Sequence, residues 1–388
     1  VQRGWAVDVD ESELFEESSE DRFRGRGVRL GFFTWQSLAV VVGTLAIAAA
    51  LVEEEPVPPV GSEEALALAG HLGLVESIRF SPDGKTLLSL GWDKTVRIWD
   101  VEHGPAEEFG QELARLRVDT EIYAAGLSPD GSTVAIAGID GVTFWDWRDA
   151  SVPVRSLEGV GPSRALTFSP DGRTLALGGF DHLIRLIDVG AGKVTTSLKG
   201  HRDVVRKLAF TPDSRSLISL SFDGSLKSWS IPEGRESSRF RGLEDARHPI
   251  LTFALAPEGD VLALSRFHVP SQRIEIWDVP KGVLKRYCGD GDAAAHALEF
   301  SRSGGMLASS GSDFRIRFWN AETGRAAGSF EENLGWVRTL DFSVDGRWMA
   351  LSSNPDQVLL KPIMMPSLAS HPAAETPRPE PLRTPGEA

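Results

Sequence analysis

The chain has 388 residues, 41% of them apolar and 25% charged, a globular profile that excludes wholesale disorder and by length suggests two or three domains. Its net charge of −14 at pH 7 argues against a dominant nucleic-acid role, which needs Lys and Arg to neutralise phosphates. The single cysteine, Cys288, excludes an intrachain disulfide framework and a thiolate metal cluster, while 11 Trp beside 2 Tyr invite a search for a repeat.

Residues 1–29 are polar and acidic, with the negative charge in the run Asp8–Asp21. Such a run reads as a solvated segment. Arg22, Arg24, Arg26 and Arg29 then precede Leu30–Val52, 23 residues without a charge. As a helix that stretch spans roughly 34 Å, enough for a bilayer core of about 30 Å. Glu53, Glu54 and Glu55 follow, then the Pro-rich EPVPPV. Arginines before and glutamates after predict a single-pass anchor over residues 30–52, with the N-terminus cytoplasmic and the rest extracytoplasmic beyond a linker at 53–63. A cleaved signal, with Ala46-Ile47-Ala48 as the small-residue site, and a buried soluble helix compete. The long preceding polar region and the length of the apolar stretch favour the anchor over the signal.

From residue 64 to 367 short apolar runs alternate with Gly, Pro, Asp and Ser clusters, which predicts many short strands. A turn element recurs seven times: SPDG at Ser81–Gly84, Ser128–Gly131 and Ser169–Gly172, TPDS at Thr211–Ser214, APEG at Ala256–Gly259, SRSG at Ser301–Gly304 and SVDG at Ser343–Gly346. Pro and Asp favour the early turn positions and Gly supplies positive φ, so each predicts a tight hairpin. A second element follows each turn: VRIWD, VTFWD, IRLID, LKSWS, IEIWD, IRFWN and VLLKP. Its aromatic position falls at Trp99, Trp145, Ile187, Trp229, Trp277, Trp319 and Lys361, at spacings of 46, 42, 42, 48, 42 and 42. That period fits a four-stranded propeller blade. The tail, residues 368–388, is Pro-rich and polar and reads as disordered.

These copies resemble the WD40-repeat family, in particular its bacterial members with FSPDG turns. The resemblance covers about 300 residues and implies an all-β, seven-bladed β-propeller, here preceded by the transmembrane helix and flanked by disordered ends. It also implies a structural network within a blade. The network is complete in blade 1, as His71, Ser89, Asp93 and Trp99, and in blade 4, as His201, Ser219, Asp223 and Trp229. Blade 6 keeps Ser309, Asp313 and Trp319 but no His; blade 3 keeps Asp181 with Ile187 for Trp; blades 5 and 7 lack the Asp. Blade 7 offers three strands, roughly Val337–Ser343, Arg347–Ser353 and Gln357–Ile363, and by family analogy Ala65–Ala69 supplies its outer strand.

No catalytic pattern emerges. The His71–Asp93 pair repeats as His201–Asp223, which marks structure and not acid–base chemistry. Gly84-Lys85-Thr86 imitates a P-loop end, but Arg79 stands at the first Gly position. There is no nucleophile elbow, and the eight histidines lack metal spacing. Asp290–Asp292 reads as a polar loop and Cys288 as an inert core thiol. Neither a cofactor nor a metal is expected. In the resembled family the residue before the turn Asp lies on the rim used for recognition. Here those positions hold Trp92, Ile139, Phe180 and Phe222, with Ser312 in blade 6, and an enlarged blade-5 loop, Ser265–Gln272, adds Arg266, Phe267 and His268. Trp92, Ile139, Phe180, Phe222 and Phe267 are the candidate partner-binding residues, since aromatic anchors dominate interface energies; packing under neighbouring loops is the competing reading.

The expected function is a non-catalytic, membrane-tethered, monomeric scaffold that binds a protein or peptide, with no nucleic acid and no small-molecule substrate. An alternative makes the chain the C-terminal sensor part of a membrane-spanning bacterial Ser/Thr kinase. A third, a periplasmic TolB-like propeller, shares the turn but not the Asp-to-Trp spacing.

Overall fold

The computed structural model describes residues 65–363, apart from 103–108, 151, 158, 238–239, 241–242, 244–247, 268–272, 290–293, 331–333 and 354–355. All of these belong to the second of two compact units, Pro56–Ala388. The expected acidic segment, membrane helix, linker and Pro-rich tail lie outside the described residues. Among the described residues no helix is long and apolar enough to cross a membrane.

The described strands form seven antiparallel four-stranded sheets, the blades of a β-propeller. Blade 1 shows how the sequence builds one. Val75–Phe80 alternates between buried Val75, Ile78 and Phe80 and half-buried Glu76, Ser77 and Arg79, and it forms the innermost strand. Thr86–Gly91 and Thr95–Asp100 follow as near-continuous buried runs. The outer strand Glu112–Arg117 buries only Leu116 fully. Strands that read as unbroken apolar runs are those covered on both faces, and here the covers are the neighbouring blades. Seven apolar clusters each span two adjacent blades. Between blades 6 and 7, for instance, Phe318 stands edge-on to Phe330, at 5.2 Å and 87°, and both pack with Phe342 and Met349.

The recurrent turn forms as expected. In blade 1 the Ser81 amide donates to the Thr86 carbonyl at 2.8 Å and the Gly84 amide to the Ser81 carbonyl at 2.9 Å. The Ser81 hydroxyl donates to Asp83 and accepts the Thr86 amide. Gly84 sits at φ +73°, where an L side chain is strained; blade 4 places Ser214 there at φ +58°.

The ring closes through the expected clasp. Leu66–Leu68 pairs antiparallel with Gln357–Pro362, with Leu66 opposite Leu360 and Leu68 opposite Val358. It is the outermost strand of blade 7, whose other strands are Leu340–Phe342 and Trp348–Ser353. The innermost strand is shorter than the sequence suggests. Near its start Arg338 and Thr339 donate their amides to the Ser352 hydroxyl, a side chain in place of a ladder partner.

Charges meet along the innermost strands. Arg79 of blade 1 bonds Glu299 of blade 6 at 3.2 Å, and Asp341 of blade 7 accepts the Phe80 amide at 2.7 Å. Burial pushes the Asp341 carboxyl up and the Lys207 ammonium of blade 4 down to about 8.

Leu68 is buried in the layer between blades 7 and 1, so Leu68→Ala should destabilise the chain by about 2–5 kcal/mol in urea unfolding. Leu72→Ala, at a residue 89% exposed, should change it by less than about 0.5 kcal/mol. Equal effects would show that the clasp does not close the ring.

Candidate functional site

Two polar arrangements dominate the blades. The first is the network expected in blades 1 and 4. His71 Nε2 lies 2.8 Å from Ser89 Oγ and its Nδ1 lies 3.1 Å from Asp93, while Trp99 Nε1 donates to the same Ser89 Oγ at 2.8 Å. Ser89 accepts the indole proton and donates its own to Nε2, which leaves Nδ1–H to donate to the carboxylate. Blade 4 repeats this, with 2.7 Å from His201 to Ser219, 3.0 Å to Asp223 and 2.7 Å from Trp229 to Ser219. Burial holds the His71 imidazole below its ordinary value against the pull of Asp93. Desolvation pushes Asp93 up, but the Leu72 amide, the Thr95 hydroxyl and His71 outweigh it and hold the carboxyl below its usual range. Asp223 is held further down, against burial, chiefly by His201 and Ser225. These groups are satisfied by one another and sit inside the blade, so the arrangement is structural.

The other blades solve the same problem differently, which the sequence reading did not anticipate. In blade 6 Trp319 still donates to Ser309 at 2.8 Å, but Asp313 pairs with Arg317 at 2.6 Å. In blade 3 Leu177 and Ile187 replace Ser and Trp with buried apolar groups, and Asp181 pairs with Arg185. Where the Ser is missing but Trp remains, the residue two before the Trp accepts its N–H: Thr143 for Trp145 at 2.9 Å and Glu275 for Trp277 at 2.8 Å. In blade 5 Glu275 also binds Arg266 at 2.9 Å. An acceptor two residues before the Trp was the available signal.

Arg266 therefore closes the strand Val261–Arg266 and is not part of a loop, which corrects the expected boundary at Ser265. The same finding moves Phe267. Its amide donates to the Pro249 carbonyl, as those of Trp92, Ile139, Phe180 and Phe222 donate to Leu74, Glu121, Pro162 and Val204. Phe267 holds the shared rim position of blade 5, in register with the other four. His268 lies outside the described residues, as does Asp290–Asp292. All five rim residues are exposed, Trp92 most at 59% and Phe267 least at 37%. Two more exposed rings, Phe314 and Trp336, escaped the sequence reading. Ser312 fills the blade-6 rim position, and Phe314, next after the turn Asp313, sits at φ +62°, as Lys94, His182 and Gly224 sit at positive φ after their turn Asp.

The second arrangement lies beside this rim. In the innermost strands of blades 1 to 6 the register slips at one residue: Glu76, Tyr123, Arg164, Arg206, Leu251 and His296. Each is a bulge, the surplus residue without a cross-strand partner, and bulges re-aim side chains. Arg338 holds the matching place in blade 7. These side chains meet one another and the rim. Glu76 binds Arg164 at 2.8 Å and Arg338 at 3.4 Å, and accepts the Trp92 indole N–H at 3.3 Å. Arg338 lies over Trp92, Arg164 over Tyr123 and Arg206 over Phe222; Tyr123 abuts Phe180, and His296 abuts Trp336. Among the described residues no group of three or more His, Cys, Asp or Glu is placed to hold a metal ion. Cys288 is buried and burial raises its thiol to about 11, the inert state expected of it.

The family model described as WD domain, G-beta repeat matches residues 63–100, 151–188, 192–230 and 283–320. Each takes the outer strand of one blade and the three inner strands of the next, and the inner strands are those of blades 1, 3, 4 and 6, the four that keep the turn Asp six residues before the aromatic position. The chain thus carries WD40 repeats. It is 39% identical over 85 residues to the Periodic tryptophan protein 2 homolog of Schizosaccharomyces pombe, covering 21% of this chain and 9% of that protein. It is 34% identical over 110 residues to the Small ribosomal subunit protein RACK1 of Neurospora crassa, covering 26% and 31%, and 34% over 113 residues to mouse Coronin-7, covering 27% and 12%. The chain spans less than a third of each of these relatives, all of them eukaryotic.

Ser219→Ala leaves both Trp229 N–H and His201 Nε2 without a partner, so it should cost about 1–3 kcal/mol in chemical unfolding, and more than Ser309→Ala, which orphans Trp319 alone. The lowered His71 value gives a pH dependence. Below the ordinary value of 6.5 the unfolded imidazole takes up a proton that the folded one refuses, so this contribution is whole above pH 6.5 and fades as pH falls. The melting temperature should drop from pH 7 to 5.5, less steeply in His71→Asn; parallel slopes would refute the assignment.

Proposed function

We propose that the chain is a non-catalytic scaffold whose propeller binds a protein or peptide partner on the rim formed by Trp92, Ile139, Phe180, Phe222 and Phe267. One observation carries this reading: exposed apolar side chains at the same register on five successive blades, each anchored by the same backbone hydrogen bond. Large apolar groups at one end of a rigid frame are what recognition uses, because burying a ring on a partner removes apolar area from water at little conformational cost. The polar networks inside the blades keep that frame rigid. The fold itself assigns no partner.

The proposal includes a membrane tether over residues 30–52, with the N-terminus cytoplasmic and the propeller extracytoplasmic. Its support is the uncharged 23-residue stretch between arginines and glutamates. Tethering would raise the local concentration of the rim near the membrane. A monomer is proposed, since each blade is already covered on both faces by its neighbours. The likeness to bacterial FSPDG-type repeats belongs to the same proposal and rests on the turn sequences alone.

Replacing Trp92 and Phe222 with Ala should shift stability by less than about 1 kcal/mol in total, because both rings are exposed, yet abolish co-purification of partners with the full chain. A sharp fall in melting temperature with capture per folded molecule unchanged would sink the proposal. Protease added to cells with a permeabilised outer envelope should cleave the propeller or its linker; protection until lysis would reverse the orientation.

A further inference from the structure

The bulge positions and their blade-7 counterpart are net positive in an acidic chain. A chain of net charge −14 gathers Arg164, Arg206 and Arg338 at seven equivalent positions, with Glu76 as the one acidic member. Glu76 is already shared by Arg164 and Arg338. Arg206 is left over. It donates to the backbone carbonyls of Ile250 and Leu251, and among the described residues no carboxylate pairs with it. Its Nε is buried without a hydrogen-bond partner. Burial and the like charge of Arg164 push the guanidinium down to about 10, still protonated at neutral pH. A half-buried cation with a like-charged neighbour and an unused donor is costly unless an anion completes it.

Glu76 shows what such an anion does on this face. One carboxylate there binds two arginines and an indole N–H together, beside exposed Trp92. The rim rings border these charges, at 5.3 Å between Arg206 and Phe222 and 5.9 Å between Arg338 and Trp92. A ligand that suits both must alternate carboxylates with apolar side chains. Nucleic acid fits less well, because three arginines offset by Glu76 neutralise few phosphates while the acidic chain repels the remainder.

We infer that the rim takes an acidic, extended segment of a partner protein, with carboxylates on Arg206 and on the Arg164–Arg338 pair and an apolar side chain against the surrounding rings. This rests on the rim being the docking surface and adds the chemistry of its occupant. Arginine suits carboxylates through its fork of donors, and such charges set specificity and encounter rate more than raw affinity.

The test is fluorescence anisotropy of the purified full chain with three labelled octapeptides, each carrying two Phe residues among six Glu, six Gln or six Lys. The Glu peptide should bind at least tenfold more tightly than the Gln peptide at 50 mM salt, with the gap narrowing at 300 mM. Arg206→Gln and Arg338→Gln should each weaken it several-fold. Glu76→Gln, which frees two arginines, should tighten it, a gain that no misfolded protein reproduces. Failure of the Glu peptide to bind, or weaker binding by Glu76→Gln, would overturn the inference. Equal binding of Glu and Gln peptides, lost in Trp92→Ala, would also overturn it while leaving the docking surface intact. A uridine octanucleotide that binds more tightly than the Glu peptide would replace it with a nucleic-acid reading.

Discussion

Every sheet in this molecule needs another sheet on each face. The two middle strands of each blade bury both sides, so a blade standing alone would expose an apolar surface to water wherever its neighbour is missing. Seven twisted sheets meet this demand by packing in a ring, and a ring has no terminal face. The clasp of Leu66–Leu68 on Gln357–Pro362 follows from that demand. Without it the layer that Val75 and Trp99 share with Ala350, Val358 and Leu360 would lose Leu68 and the half-buried Leu66.

Within that constraint the blades differ in how they treat one buried indole. Blades 1 and 4 use a serine backed by histidine and aspartate, blade 6 a serine alone, and blades 2 and 5 an acceptor on the Trp strand itself. Blade 3 removes the indole, and blade 7 buries Lys361 over Phe330 instead. What persists is the requirement that a buried donor find an acceptor or be replaced by an apolar group; the residues that meet it vary.

That distinction explains what could be read from the sequence. The seven turns and the blade period were legible because each depends on local chemistry that repeats: Gly or Ser at a positive φ and an aromatic residue at a fixed distance; the clasp and the two complete networks were expected only through the WD40 resemblance. The shared register of Trp92, Ile139, Phe180 and Phe222 was legible because each directly precedes an Asp. Phe267 was assigned to a loop because blade 5 lacks that Asp, and only its backbone bond to Pro249 reveals the register. The cluster of Glu76, Arg164, Arg206 and Arg338 was not legible. Those residues are dozens of positions apart, and it takes the ring to bring Arg164 against Glu76. Phe314 and Trp336 stand outside the shared rim position, and only the fold shows that their rings lie 6.2 Å apart and exposed.

The slipped register of the innermost strands separates two kinds of inheritance. A ladder residue answers to its partner opposite, to the layer behind it and to the turn beyond. A bulged residue has no partner opposite, so what constrains it is its contacts with the neighbouring blades and the rim, as for Glu76 with Arg164 and Arg206 with the Ile250 carbonyl. Six such positions and the matching Arg338 of blade 7, reading in order Glu, Tyr, Arg, Arg, Leu, His and Arg, amount to a short editable vocabulary on a fixed grammar. Single substitutions there change the charge at this end of the ring without touching the ladder pairs or the apolar layers between blades.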